Sequence, residues 1–310
     1  MSLLDAFFER QNVVVLDGGL ATELEARGHD LGDALWSARL LLDNPAAIRE
    51  VHRDYLDAGA DCIVSASYQA TIEGFRSQGL DPAEAEDLLR RSVLLACEAR
   101  DEFWSRADRS NRLRPLVAAS IGPYGAYLAD GSEYRGTYDV DEKGLVEFHR
   151  HRWEILSDSP ADLLACETLP STVEARALSG LLEATPGKQA WFSFSCRDGA
   201  HVSDGSRIAD AARMLDCCAQ VVAIGVNCTA PWYIPELIGE LRAATGKPIV
   251  VYPNSGETYD AAGKRWLPGE QALDLGRACQ EWRSLGARLI GGCCRTGPAQ
   301  IRLIRDRAVA

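Results

Sequence analysis

Long apolar runs are absent from this chain. No stretch approaches the ~18 consecutive apolar residues that a bilayer-crossing helix requires, so the sequence argues against a membrane-spanning protein. The opening segment, MSLLDAFFERQNVVVLDGG, places Asp5, Glu9 and Arg10 where a secretory signal needs an unbroken apolar core. Positive charge is in deficit as well. Lys and Arg number 33 against 45 Asp and Glu, a net charge of −12, which disfavours nucleic acid and anionic membrane surfaces as partners. Histidine is scarce: His52 falls in a helical stretch, His149 and His151 lie in EFHRHRW, and His29 and His201 occupy loop-like segments. All five read as surface or core residues rather than ligands. No G-x-S-x-G, P-loop or dinucleotide-binding fingerprint occurs. No linker or low-complexity run divides the chain and 16 residues follow Cys294; one domain over 1–310 is expected, without room for an appended cofactor module.

What the chain does have is 46% apolar residues, enough for a substantial core, and ten cysteines. Cysteines this dilute do not make a disulfide scaffold. In a reducing, cytoplasmic setting, which is the expectation here, they are thiols, metal ligands or nucleophiles. Cys62, Cys97, Cys166, Cys196 and Cys279 read as packing residues, since a buried cysteine behaves as a small hydrophobe.

Eight short, β-rich apolar runs recur along the chain, at 13–17, 62–67, 116–121, 162–166, 190–195, 221–226, 248–252 and 287–290. Amphipathic helical stretches lie between most of them, with start signals such as Asn44-Pro45 and Asp81-Pro82. Near-continuous apolar strands alternating with helices imply a parallel sheet buried on both faces, and eight such units match a closed (β/α)8 TIM barrel. An open doubly wound sheet is the alternative. One segment is too long for an ordinary βα loop: YGAYLADGSEYRGTYDVDEKG, after the third strand.

Reactive groups in such a barrel belong at the C-terminal ends of strands. There the chain carries Asp17-Gly18-Gly19, Cys166-Glu167-Thr168, Asn227-Cys228, Pro253-Asn254-Ser255 and Gly291-Gly292-Cys293-Cys294. Neighbouring side chains on a strand face opposite ways, so Cys293 and Cys294 share one metal only if the chain leaves strand geometry, which Gly291-Gly292 would permit through unusual backbone angles. With Cys228 they would make a three-thiolate zinc site with an open fourth position; three buried thiols or a vicinal disulfide are the alternatives. Cys217-Cys218, late in the helical stretch DAARMLDCCAQ, reads as packing. An all-thiolate site suits a thiol substrate, because free thiols are only ~3% ionised at pH 7 and coordination deprotonates them. Asp17 and Glu167 could hold an ammonium group, and the N–H groups near Gly18 and Gly19 a carboxylate. Together these describe an α-amino acid site beside a thiol-binding metal. In the long loop, Tyr124, Tyr127, Tyr134 and Tyr138 accompany Asp130, Glu133 and Asp139, a set suited to a fixed cation; Tyr124, Tyr127 and Glu133 are the candidate donor-binding residues.

The segments LDGGLATELEARG, SASYQAT, SIGPYGAYLADGSEYRG, ACETLP, GVNC, VYPNSGE and GGCCRT, spread over nearly the whole chain, make it similar to the homocysteine S-methyltransferase family. The likeness is nearest to single-domain bacterial S-methylmethionine:homocysteine methyltransferases. The resemblance implies that Cys228, Cys293 and Cys294 carry zinc, that Asp17 and Glu167 bind the homocysteine ammonium, and that Gly18, Gly19 and Ser65 lie near its carboxylate. Relatives often have Thr near the position of Ser65, where this chain reads Ser65-Ala66-Ser67, and often Ala at Gly19. The implied reaction moves a methyl group from a sulfonium, S-methylmethionine or S-adenosylmethionine, to the L-homocysteine thiolate, giving methionine. A non-catalytic zinc or homocysteine sensor, and a thiol redox enzyme using Cys293 and Cys294 as a pair, are the rival readings.

Overall fold

The computed structural model describes residues 2–31, 39–260, 265–267 and 273–309. Its strands are β1 (Val14–Val15), β2 (Cys62–Val64), β3 (Leu116–Ile121), β4 (Leu163–Leu169), β5 (Ala190–Phe194), β6 (Val221–Asn227), β7 (Ile249–Tyr252), β8 (Thr258–Asp260), β9 (Arg265–Leu267) and β10 (Ala287–Ile290). Eight of them form one sheet in the order β1-β10-β7-β6-β5-β4-β3-β2, and every pairing in it is parallel. The two ends of that order meet: Leu16 bridges Cys62, Asp17 N donates to Cys62 O at 3.1 Å and Asp61 N to Val15 O at 2.7 Å. The sheet is therefore a closed TIM barrel, and the open doubly wound alternative falls. Strands β8 and β9 were not anticipated; they are three residues each and pair only with one another, as an antiparallel hairpin in the loop after β7.

Local sequence explains the helices between strands. The Asn44 side chain accepts from Ala47 N, Pro45 occupies the first turn, and Gly59 closes helix Pro45–Ala58 at φ 113°, where a side chain would be strained. Asp81 and Glu84 form a reciprocal capping box at the start of helix Pro82–Arg106.

Strand alternation produces two apolar layers. Val14, Leu16, Ala118, Ala165, Trp191, Ala223, Val250 and Leu289 fill the barrel interior, whereas their neighbours Val13, Val15, Val117, Ala119 and Ile224 pack outward against the helices. Small residues on β3, β4 and β6 make room for the large rings of Trp191 and Tyr252, whose centroids lie 6.4 Å apart in an edge-on contact. Leu4 and Phe7 join the interior layer from the N-terminal segment. The opposite, C-terminal rim is left to polar side chains.

Candidate functional site

A cavity of about 360 Å³ opens at that rim, lined by Asp17, Glu167, Cys228, Cys293 and Cys294 among others. Its lining includes five carboxylates, Asp17, Glu25, Asp30, Glu133 and Glu167, and no Lys or Arg among the described residues. A lining with acids and no described base favours a ligand carrying positive charge.

The three cysteines converge as the strand ends suggested. Their sulfurs lie 3.2 Å (Cys228–Cys293), 3.6 Å (Cys228–Cys294) and 4.0 Å (Cys293–Cys294) apart, and all three are free thiols. A tetrahedral ion with ~2.3 Å bonds to sulfur places its ligands ~3.8 Å from one another, so the triangle is near metal-binding size and needs only a small opening of its shortest side. Hydrogen bonds from Cys293 and Cys294 hold the Cys228 thiol well below its usual pKa and leave its two partners raised. The backbone reason for the convergence differs from the one expected. Gly291 and Gly292 do not take left-handed angles; Cys228 (φ 48°) and Arg295 (φ 64°) do. The glycines are required because a Cβ at Gly291 would stand 2.6 Å from Leu16 Cβ, and one at Gly292 would strike the Thr296 side chain. Beyond β10 the chain threads between its neighbours, Gly291 N donating to Val251 O (3.0 Å), Gly292 N to Asp17 O (3.1 Å) and Cys293 N to Pro253 O (2.9 Å).

Asp17 and Glu167 both line the cavity and are buried. Asp17 Oδ2 accepts from Val64 N at 2.8 Å. Burial, with the nearby Glu167 charge, pushes its carboxyl well above the ordinary range. Glu167 accepts from Ser120 Oγ and, at 3.0 Å, from Tyr252 OH; burial nevertheless raises it to about 7. Two buried acids lining one cavity that no described Lys or Arg lines are costly to ionise, and an ammonium group would relieve that cost. Thr168, next to Glu167, sits at φ 57°, clamped by Asn227, whose Oδ1 accepts from Thr168 N and whose Nδ2 donates to Thr168 Oγ1, each at 2.7 Å.

Ser65 lines the cavity and Ser67 does not. Ser65 Oγ accepts from Ser120 N (3.1 Å) and contacts Ser67 Oγ (2.7 Å), which donates to Ser120 O (2.8 Å). Gly18 and Gly19 also line it, pressed against the loop after β10: a Cβ at Gly18 would meet Thr296 O, and one at Gly19 would lie 2.6 Å from Cys293 O. Alanine at Gly19 therefore needs that loop to shift. The Gly19 N–H is committed to Thr296 O at 2.9 Å, so it offers nothing to a carboxylate. The first-turn residues Leu20, Ala21 and Thr22, which also line the cavity, precede the first intrahelical bond, Glu23 N to Gly19 O.

The long loop after β3 folds into helix Tyr124–Leu128 and a 3-10 turn Ser132–Tyr134. Its start is pinned by a buried cluster: Glu174 accepts from Tyr124 N (2.6 Å) and pairs with His149 Nε2 (2.8 Å), while Arg152 donates to Gly122 O. Tyr124 and Tyr127, expected at the donor, stand apart from the cavity. Neither lines the cavity; their rings pack together at 5.8 Å and against Phe148 at 4.9 and 5.4 Å, because a helical turn directs them to the outer layer. Glu133 does line the cavity, and burial raises its carboxyl to about 7.

The family profile described as homocysteine S-methyltransferase matches residues 14–308. A homocysteine S-methyltransferase of Bacillus subtilis, YbgG, is 52% identical over 305 residues, covering 98% of this chain and 97% of its own. A homocysteine S-methyltransferase of Escherichia coli is 50% identical over 306 residues, with 98% of each chain covered. The metallated form of the E. coli homocysteine methyltransferase MmuM superposes with a TM-score of 0.89 at 48% identity, over 98% of this chain and 99% of that one. This chain belongs to the homocysteine S-methyltransferase family. It is a methyltransferase with a thiol acceptor.

Several residues of this methyltransferase's cavity escaped the sequence reading: Tyr68, Gln69 and Tyr252. Tyr252 reads in sequence as one more apolar strand residue, and only closure of the barrel brings its hydroxyl to Glu167. Tyr134 was counted with the loop tyrosines, yet it alone of those four reaches the cavity. The reading of Cys217-Cys218 is half corrected: Cys218 is buried, whereas Cys217 follows the end of helix Ile208–Asp216 and is exposed.

Proposed function

We propose that the chain transfers a methyl group from a sulfonium donor to the thiolate of L-homocysteine with zinc held by Cys228, Cys293 and Cys294. The observation that carries this reading is three thiols at metal-binding separations beside two buried carboxylates, in a cavity lined by no described Lys or Arg. Bound there, zinc would supply a Lewis acid that keeps the acceptor sulfur deprotonated at neutral pH. Asp17 and Glu167 take the homocysteine ammonium, fixing the amino acid so that its sulfur points toward the cysteines. Gly18, Gly19 and Ser65 flank its carboxylate, with Leu20 to Thr22 supplying the helix-start N–H groups.

The donor enters against Glu133, and the net negative lining favours its fixed positive charge. Glu133 Oε2 and Gln69 Oε1 are buried without a hydrogen-bond partner among the described residues, acceptors suited to the donor's ammonium. The homocysteine sulfur attacks the methyl carbon in line with the departing sulfide, so no covalent enzyme intermediate forms. Of the two sulfonium donors this reading takes S-methylmethionine, the donor of the bacterial enzymes that the sequence resembles. Ligand thiols must stay reduced, in keeping with a cytoplasmic enzyme, and no helix among the described residues is long and apolar enough to cross a membrane.

A methyl-transfer assay with zinc-loaded protein, homocysteine and each donor tests the reading. S-methylmethionine should yield two methionines per turnover. Homocysteine binding without turnover on either donor would favour the sensor, and activity that requires an oxidised Cys293–Cys294 pair would favour the redox enzyme.

A further inference from the structure

We propose that Tyr134 is a positioning residue for the metal centre: its phenol donates to Sγ of Cys228, fixing that sulfur and drawing charge from it. The inference rests on the zinc reading above. Tyr134 OH lies 3.4 Å from Cys228 Sγ. Among the described residues, neither Cys293 nor Cys294 has a hydroxyl partner at its sulfur. Cys228 is also the ligand held in a left-handed backbone conformation, at φ 48°, a state unfavourable for a non-glycine residue that persists only where its surroundings enforce it.

The turn that carries the phenol is itself fastened on both flanks. Ser195 Oγ, at the end of β5, donates to Glu133 O at 2.7 Å. Ser132 N donates to Asp130 Oδ1 at 2.9 Å. Gly136, at φ 71°, lets the backbone approach so closely that a Cβ there would strike Pro170 O at the end of β4. The hydroxyl is thus delivered to the sulfur by a braced loop, not by a side chain swinging in solvent. A phenol donating to a thiolate makes a charge-assisted hydrogen bond, and partners of this kind orient a metal ligand and tune its donor strength. Glu133 precedes Tyr134, so the wall that faces the methyl donor and the sulfur that holds the metal share one turn.

Tyr134→Phe keeps the ring and deletes the hydroxyl. Zinc affinity, measured by chelator competition, should fall by roughly tenfold or more, the usual effect of losing such a partner. In the cobalt(II)-substituted protein the thiolate-to-metal charge-transfer band should move to lower energy, because the unbonded thiolate is the stronger electron donor. A ring-fluorinated tyrosine at 134, a better hydrogen-bond donor, should move the band the opposite way; a purely structural role predicts no such reversal. Tyr124→Phe, outside the cavity, should leave both readouts unchanged. A folded Tyr134→Phe protein with wild-type zinc affinity and an unshifted cobalt spectrum overturns this inference and leaves the zinc reading standing. Failure of the wild-type protein to bind one zinc overturns both.

Discussion

Replacing Glu167 by Gln removes one ionisable acid from the proposed homocysteine site while leaving its shape and hydrogen bonds nearly intact. In the wild type, Tyr252 OH receives from Trp191 Nε1 (3.0 Å), contacts Ser193 Oγ (2.6 Å) and donates to Glu167 (3.0 Å). A glutamine can keep its carbonyl oxygen toward Tyr252 and turn its amide toward Ser120, whose hydroxyl rotates from donor to acceptor. The fold should therefore survive. The substrate ammonium loses a desolvated partner, and truncating one side of such a pair costs about 2 kcal/mol or more, roughly 30-fold in homocysteine affinity.

The pH dependence has a definite sign. The empty site holds Glu167 at about 7, so below that pH ammonium binding must first expel a proton and affinity drops by up to about tenfold per pH unit. Glutamine has no such proton. The wild-type-to-variant affinity ratio should accordingly be large at pH 8 and shrink toward pH 6, while the pH dependence of the thiol itself cancels in the ratio. Calorimetric titration of zinc-loaded proteins with homocysteine and with 4-mercaptobutanoate, which lacks the amino group, provides the test. The variant should lose affinity for homocysteine and little for the analogue. Equal loss for both ligands, or a ratio that does not change with pH, refutes the ammonium assignment.

Cys293→Ser should abolish both zinc retention and methyl transfer, whereas Cys217→Ser should leave both intact because that sulfur is exposed and bonds to Met214 O at 3.2 Å, away from the cavity; metal analysis of the purified variants distinguishes them. Glu133→Gln should raise the donor KM roughly tenfold, the ~1.5 kcal/mol of a charge-assisted contact, with homocysteine affinity unchanged. Tyr124→Leu should not move the donor KM, and a larger rise for Tyr124 than for Glu133 would return the outer tyrosines to the site. His52, fully buried with neither ring nitrogen partnered among the described residues, is depressed by burial to about 4. The unfolded chain therefore takes up its proton first, near pH 6.5, and the stability that neutral His52 contributes is present above that pH and lost as pH falls toward 4. Urea denaturation of the His52→Leu protein should show it gaining about 3 kcal/mol relative to wild type between pH 7 and 4; parallel curves would remove His52 as the cause.

Local pattern was enough to place the barrel strands, because a strand buried on both faces must be apolar throughout and a helix start must cap its own N–H groups. Asn44, Asp81 and their prolines announce helices by chemistry confined to one turn. The three cysteines and the acid pair were equally legible, since a barrel's parallel strands bring their C-terminal ends to one rim whatever lies between them in sequence. Side-chain direction beyond the strand ends was not legible. Tyr124, Tyr127 and Tyr134 share one loop and one residue type, yet a single helical turn sends the first two outward against Phe148, while the Ser195 and Pro170 anchors turn the third toward Cys228. The glycines of GGCC were correctly marked as necessary but for the wrong cause: their need comes from Leu16 and Thr296, which touch them only in the closed barrel. Sequence determined which groups reach the rim, because strand periodicity and capping are properties of neighbours along the chain. Tertiary structure alone decided which of them face one another, because contacts such as Tyr252 with Glu167 or Tyr134 with Cys228 join residues some 85 to 94 positions apart and exist only once the packing of both is fixed.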